Sequence, residues 1–225
     1  TDIFAVQDDV TQQIVAALKV TVSESERSRI GEGGTRDVEA HDLFLQGRAL
    51  LFGRKRDREM FERSMAFFRC AVELDPGYSS AYAGLAMGYA LDYQNHWSDA
   101  PETSLDQAQR LVDEAISKDD SDFFPHYVAA VVATWKRDYD RWAYEGDKAL
   151  SLNPNFALAS SNRGTLYIYT GEPAKAIPYI ERAMRLDPVA QHGQYAHFLG
   201  MAHFVAGDYE AAATCFKDRI VSNPT

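Results

Sequence analysis

The stretch ALASSNRGTLYIYTGEPAKAIPYIERAMRLDPVA, residues 157–190, reads as one complete structural unit. Gly164 lets two helices approach closely, Tyr167 fills the space between them, and Gly171 ends the first helix. Ala176, Ile180 and Ala183 then recur at helical spacing as the apolar face of a second helix, which Pro188 stops. The prediction is a helical hairpin. The Asp187-Pro188 step that closes it recurs as Asp75-Pro76, Asn153-Pro154 and Asn223-Pro224, the last three prolines being 34 and 36 residues apart. A repeat of that length signals stacked hairpins, each burying its apolar face only against its neighbours. Arrays of this kind generally bind other molecules rather than catalyse.

Working outward, residues 123–156 keep the unit's length with Ala129, Ala130, Ala149 and Pro154, although Trp142 and Gly146 stand where an alanine and a large apolar residue are usual. Residues 79–122 open with Tyr82, Leu85, Ala86 and Tyr89 and close with Ala108, Val112 and Ala115, with about ten extra residues between the helices. The insertion lies near Asp92–Ala100, where Asp99 and Glu102 are spaced as a capping box. Residues 40–78 supply Gly47, Leu50, Phe68, Ala71 and Pro76, with about five extra residues around Arg54–Arg58. The last unit, about 193–225, carries Leu199, Gly200, Gly207, Tyr209, Ala212, Phe216 and Pro224. The expected domain organisation is therefore a segment over 1–34 and an array over 35–225. A terminal repeat with no polar helix over its apolar face is expected either to continue into further chain or to pair with another molecule as a homo-oligomer.

The segment before the array has its own pattern. Val6, Val10, Ile14, Leu18 and Val22 recur every four residues and form one stripe on a helix over about 3–20, with Asp8, Asp9, Gln12 and Gln13 opposite. A short second helix is expected over 23–30, then a glycine-rich joint at 31–34. No strand precedes those glycines and no Lys-Ser/Thr follows, so they read as a linker rather than a phosphate cradle.

Composition bounds the function. The 225 residues carry 33 acidic and 23 basic side chains, a net charge of −10, and no long run of Lys and Arg. Nucleic acid and anionic membrane surfaces are not expected partners. No apolar run spans a bilayer. Cys70 and Cys215 lie far apart in sequence and outside any Cys-x-x-Cys unit, which fits a reducing, cytoplasmic compartment. His192, His197 and His203 are not spaced to converge on one helical face as metal ligands. No Ser, Cys or Thr has an evident base partner. Neither an active site nor a cofactor site is expected within these residues.

Position for position, residues 157–190 resemble the tetratricopeptide repeat. They keep that family's Gly, Tyr, Ala, Ala and Pro and place Ser160 where it has a large residue. The resemblance implies an all-α fold, a right-handed superhelix (α-solenoid) of about five hairpins preceded by an N-terminal helix. It also implies a concave binding face lined by positions 2, 5, 9 and 12 of each first helix. Those positions hold His41, Phe44, Arg48 and Leu51; Ser80, Ala83, Met87 and Ala90; Phe124, Tyr127, Val131 and Thr134; Leu158, Ser161, Thr165 and Ile168; and Gln194, His197, Met201 and Phe204. Phe44, Arg48, Met87, Phe124, Tyr127, Val131, Thr165, Ile168, His197, Met201 and Phe204 are the expected partner-binding residues. The Lys, Arg and Asn clamp with which chaperone-binding members hold a C-terminal carboxylate is missing from these positions. The lining is instead apolar and aromatic, suited to an amphipathic helix or extended peptide. The competing expectation is that these side chains pack on one another. If they do bind, replacing Tyr127 or Phe124 with Asp should abolish capture and leave the melting temperature nearly intact.

A narrower resemblance joins residues 1–18, TDIFAVQDDVTQQIVAAL, to residues 40–48, AHDLFLQGR. Together they are similar to the junction in bacterial multidomain signalling proteins where a TolB-like α/β domain leads into a tetratricopeptide array. Members commonly begin with a class III adenylate or guanylate cyclase domain, others with a winged-helix DNA-binding domain. The implied function is a protein-interaction scaffold whose partner is a protein or peptide, or the upstream domains of the same protein. Any cyclase chemistry would lie upstream of Thr1, because these residues have no strands on which to mount its metal-binding aspartates. A winged-helix regulator and a freestanding self-assembling repeat protein are the alternatives.

Overall fold

The computed structural model describes residues 34–53, 57–189 and 192–222, together with Val6, Asp9, Val10 and Gln13. Helices α1 (Val38–Leu51), α2 (Arg58–Leu74), α3 (Ser79–Asn95), α4 (Pro101–Lys118), α5 (Phe123–Lys136), α6 (Tyr139–Leu152), α7 (Ala157–Tyr169), α8 (Pro173–Leu186), α9 (His192–Val205) and α10 (Tyr209–Ser222) pair as consecutive hairpins. There is no strand among the described residues. The helices expected over 3–20 and 23–30 lie almost wholly outside the described residues, as do residues 54–56 of the insertion expected around 54–58 and the Asn223-Pro224 step. Val6, Asp9, Val10 and Gln13 are helical, and Gln13 Nε2 donates to Asp9 Oδ2 at 2.8 Å.

The recurrent Asp/Asn-Pro step ends the second helix of the first, third and fourth units. Proline crowds the residue before it out of the helical region, and Asp75, Asn153 and Asp187 are extended at ψ 93°, 89° and 81°. Asp75 and Asn153 also accept the backbone N–H two residues on, from Gly77 and Asn155. In the second unit Asp119 does the same without a proline, at ψ 103° and with Ser121 N–H on its carboxylate. At the other helix ends, carboxylates of Asp37, Asp57, Asp122 and Asp138 accept first-turn N–H groups. Gly171, at φ +78°, closes α7, and the Glu172 N–H reaches back to the Tyr167 carbonyl at 2.8 Å.

The expected capping box at Asp99 and Glu102 does not form. Helix α4 starts with Pro101 at its first position, which makes Ala100 the N-cap, and its methyl side chain has no atom to accept a first-turn N–H. The insertion is pinned instead by Asp92. Its buried carboxylate accepts the Ser98 N–H at 2.7 Å, the Ser98 hydroxyl at 2.6 Å and the Ser104 hydroxyl. Burial alone would raise the pKa of Asp92, but these hydrogen bonds outweigh it and hold the carboxyl below its ordinary value.

Helix pairs close on one another where a side chain meets a missing one. The Phe68 ring, fully buried, lies between α1 and α3; a Cβ on Gly47 would come within 2.7 Å of it and a Cβ on Gly84 within 2.6 Å. Phe216 meets Gly200 in the last unit in the same way, at 2.6 Å. Neighbouring units are also joined by polar contacts. Ser80 donates to Asp122, Trp142 Nε1 donates to Asn162 Oδ1 at 2.7 Å, Arg163 Nε donates to Asp147 at 2.6 Å, and Arg182 donates to the Pro154 carbonyl. The last unit leaves Phe204, Val205, Tyr209, Ile220 and Val221 exposed.

One buried titratable group sits inside the third hairpin. His126 donates from Nδ1 to Glu145 Oε2 at 2.6 Å and from Nε2 to the Asp120 carbonyl at 3.0 Å, and Arg141 and Lys148 meet the same two acidic residues. Burial pulls its pKa down, yet these acceptors favour the doubly protonated ring and hold the pKa above the ordinary histidine value. A raised folded-state pKa stabilises below the unfolded value of about 6.5, and that contribution is lost as pH rises through the folded pKa. The gap in melting temperature between the parent chain and His126→Gln should therefore be widest below pH ~6 and shrink as pH rises. Thermal melts of both chains across a pH series measure it; a gap that widens with pH would overturn the assignment.

Candidate functional site

Each first helix packs on its own second helix, on the second helix of the unit before, and on the first helices beside it. The first helices therefore line one continuous face. That face holds a groove of about 1150 Å³ whose walls come mainly from α3, α5, α7 and α9.

Of the expected binding residues, Met87, Tyr127, Val131, Thr165 and His197 line the groove. Phe44 and Phe124 do not. Their rings are 4% and 3% exposed and pack on each other at 5.8 Å, with Tyr78 at 5.3 Å and Phe68 at 5.9 Å from Phe44. Phe52 and Tyr127 close over Phe124 at 6.3 and 6.2 Å, and Phe156 meets Tyr127 at 5.0 Å edge to face. At this end the array fills its own concave face with aromatic rings. Ile168 is buried in the C-terminal core, where Met201 also packs, while Arg48 is exposed outside the groove lining. Phe204 is 58% exposed and meets Tyr209 edge to face at 5.5 Å, beyond the groove.

With Phe124 3% and Tyr127 6% exposed, Asp at either position is expected to lower the melting temperature rather than leave it intact. Positions 2, 5, 9 and 12 fix which side of a helix faces inward, but not whether anything remains to be bound there.

The open part of the groove lies one helical turn further on. Phe52, Leu91, Trp135 and Tyr169, each four residues after the ninth position, all line it. Their common spacing was legible in the sequence as a continuation of the same stripe. Tyr93 lies 6.0 Å from Trp135, and Tyr169 lies 5.8 Å from Trp142, whose own ring is buried in the third unit. The lining also contains polar groups, among them His96, Arg137, Gln194, His197 and Arg219. Arg219 donates to His197 Nδ1 at 2.8 Å. Burial first and the Arg219 charge second hold the His197 pKa below its ordinary value. The ring is thus neutral near pH 7, with its remaining proton on Nε2.

The three clustered histidines do not converge: His192 bonds Asp218, His197 meets Arg219, and His203 lies near Asp208. Among the described residues there is no group of three His, Cys, Asp or Glu placed to hold a metal ion. No helix among them is long and apolar enough to cross a membrane.

Residues 159–189, which contain the Gly164 to Ile180 contact and the Gly171 turn, match the family model described as the tetratricopeptide repeat. One hairpin of the array is thus a tetratricopeptide repeat by sequence. A thermophilic tetratricopeptide protein of Thermus thermophilus superposes with a TM-score of 0.64 at 14% identity, over 83% of this chain and 92% of that one. YrrB, whose structure is described as that of a tetratricopeptide protein with an unusual peptide-binding site, gives 0.50 at 17% identity over 90% and 93% of the two chains. By sequence, the repeats are similar to a protein named "Putative adenylate cyclase 3" from Rhizobium meliloti (strain 1021). The two are 37% identical over 139 residues, 62% of this chain and 23% of that protein. A DnaJ homolog subfamily C member 7 homolog of Schizosaccharomyces pombe is 35% identical over 38% of this chain and 17% of its own length. The chain thus spans less than a quarter of either relative.

Proposed function

We propose that this tetratricopeptide array is the protein-interaction scaffold of a larger, cytoplasmic signalling protein that carries a class III nucleotide cyclase domain upstream of Thr1. The observation that carries the scaffold reading is the aromatic groove left open beyond the self-filled end, with Trp135 and Tyr169 on its walls. Apolar rings held on rigid helices bind an amphipathic or extended peptide with little ordering cost. Similarity to the rhizobial cyclase-named relative supports the upstream domain. On this reading the array captures a peptide, from a partner or from its own upstream domains, and leaves the chemistry to the other domain.

A photo-crosslinking residue placed at Trp135 in the protein as expressed by its host tests the scaffold. The expected result is a discrete crosslinked peptide that is absent when the same residue replaces Tyr144, which is 65% exposed on α6 and outside the groove. Equal crosslinking at both positions would remove the groove from the account. Reading the gene upstream of Thr1 tests the rest: paired metal-binding aspartates on an α/β domain are expected, and a winged helix would replace this reading with a transcriptional one.

A further inference from the structure

Among the described residues, the 24 that line the groove include no aspartate or glutamate. Acidic residues make up 33 of the chain's 225, so a lining of average composition would hold three or four. It holds His96, Arg137, His197 and Arg219 instead. Three of these come from outside the inward-facing helical positions: His96 and Arg137 end α3 and α5, and Arg219 belongs to the second helix of the last unit.

His96 and Arg137 are also the two non-glycine residues with left-handed backbone among the described residues, at φ 54° and 57°. That conformation is normally given to glycine or asparagine at a helix end, because Cβ crowds the carbonyl. Here it carries a cationic or titratable side chain at the edge of a concave surface, where strain and ligand contact often coincide. Lys136, Arg141 and Lys148, close to Arg137 in sequence, each meet a carboxylate. Arg137 and Arg219 form no ion pair with another described residue, and Arg219 is steered by His197.

We propose that the groove takes an acidic peptide segment, with apolar side chains lying on Trp135, Tyr169 and Phe198 and carboxylates meeting Arg137 and Arg219. The proposal rests on the reading of the groove as a peptide-binding surface and names the chemistry of its occupant. A carboxylate entering this lining meets two guanidinium groups and no other carboxylate, whereas a basic segment would leave its own charges unpaired beside those guanidinium groups.

The test uses the intact chain and a fluorescein-labelled random copolymer of glutamate and tyrosine, followed by fluorescence anisotropy. Arg137→Asn, which keeps a residue tolerant of left-handed backbone, and Arg219→Gln should each weaken binding about tenfold, as loss of a charge-assisted hydrogen bond does. Far-UV circular dichroism and thermal melts unchanged from the parent exclude loss of fold. A lysine–tyrosine copolymer is expected to ignore both substitutions. If the glutamate–tyrosine copolymer binds with equal affinity to the parent and the double variant, the acidic assignment falls while a peptide-binding groove stands. If neither copolymer binds at millimolar concentration, both fall. An oligothymidylate that binds with the same dependence on both arginines would put a nucleic acid in the groove and overturn the peptide.

Discussion

Phe124→Asp is expected to lower the melting temperature of the chain by roughly 10–30 °C. Removing a buried phenylalanine ring costs about 3–5 kcal/mol, and placing a carboxylate in the same apolar site costs about 2 kcal/mol or more besides. In a domain of this size each kcal/mol is worth about 2–4 °C. Four rings surround the site, from Phe44, Phe52, Phe123 and Tyr127, and none offers the new carboxylate a hydrogen-bond donor in place of water except the tyrosine hydroxyl. Because stability in a stacked array is carried between neighbours, a defect in the third unit should loosen the units on both sides. Thermal melts followed by circular dichroism check it, with Phe204→Asp as the control. Phe204 is 58% exposed, and its substitution should change the melt by no more than about 2 °C. A Phe124→Asp chain that melts like the parent would mean that the aromatic end of the groove is open.

The second large effect lies at the Phe68 wedge. Phe68→Ala empties a fully buried site lined on two sides by glycines, which cannot fill the void, so a loss of about 3–5 kcal/mol is expected. Gly84→Ala attacks the same contact from the other side. Alanine favours the helix by about 1 kcal/mol, but its Cβ would lie 2.6 Å from the Phe68 ring. The ring has no room to retreat, since Gly47 stands behind it. Overpacking of this kind costs about 1–3 kcal/mol, so Gly84→Ala should destabilise the parent. In the Phe68→Ala background the obstruction is gone, and the same substitution should stabilise by up to about 1 kcal/mol. Urea denaturation of the four chains gives the cycle; a Gly84→Ala effect of the same sign in both backgrounds would exclude the steric account.

Much of the fold was legible because its signals are local. The Asp/Asn-Pro step constrains the backbone of the residue before it, and Gly164 and Gly171 act within one hairpin, so residues 157–190 can be read without knowing what lies beside them. The capping box failed for an equally local reason, a proline at 101 that the pattern of Asp99 and Glu102 ignored. The candidate site was less legible. Helical position tells which way Phe124 and Thr165 face, but the ring that covers Phe124 comes from Phe44, eighty residues earlier in the chain. Whether an inward-facing side chain is a wall or a filling depends on such distant partners. Arg137 and His96 were missed for another reason: they end helices in a conformation that propensity assigns to glycine, so no periodic pattern points to them.

The contacts between neighbouring units bear on how such a chain can be edited. Repeat arrays are often treated as strings of interchangeable modules. Here each junction has its own lock: Phe68 against Gly84, Ser80 on Asp122, Trp142 on Asn162 together with Arg163 on Asp147, and Tyr195 on Asp187. A unit moved to another place in the string, or duplicated, would present its half of one lock to the wrong counterpart. The length and order of this array are consequently written into side chains rather than into the repeat, and lineages that lengthen or shorten it must rewrite both faces of every new joint.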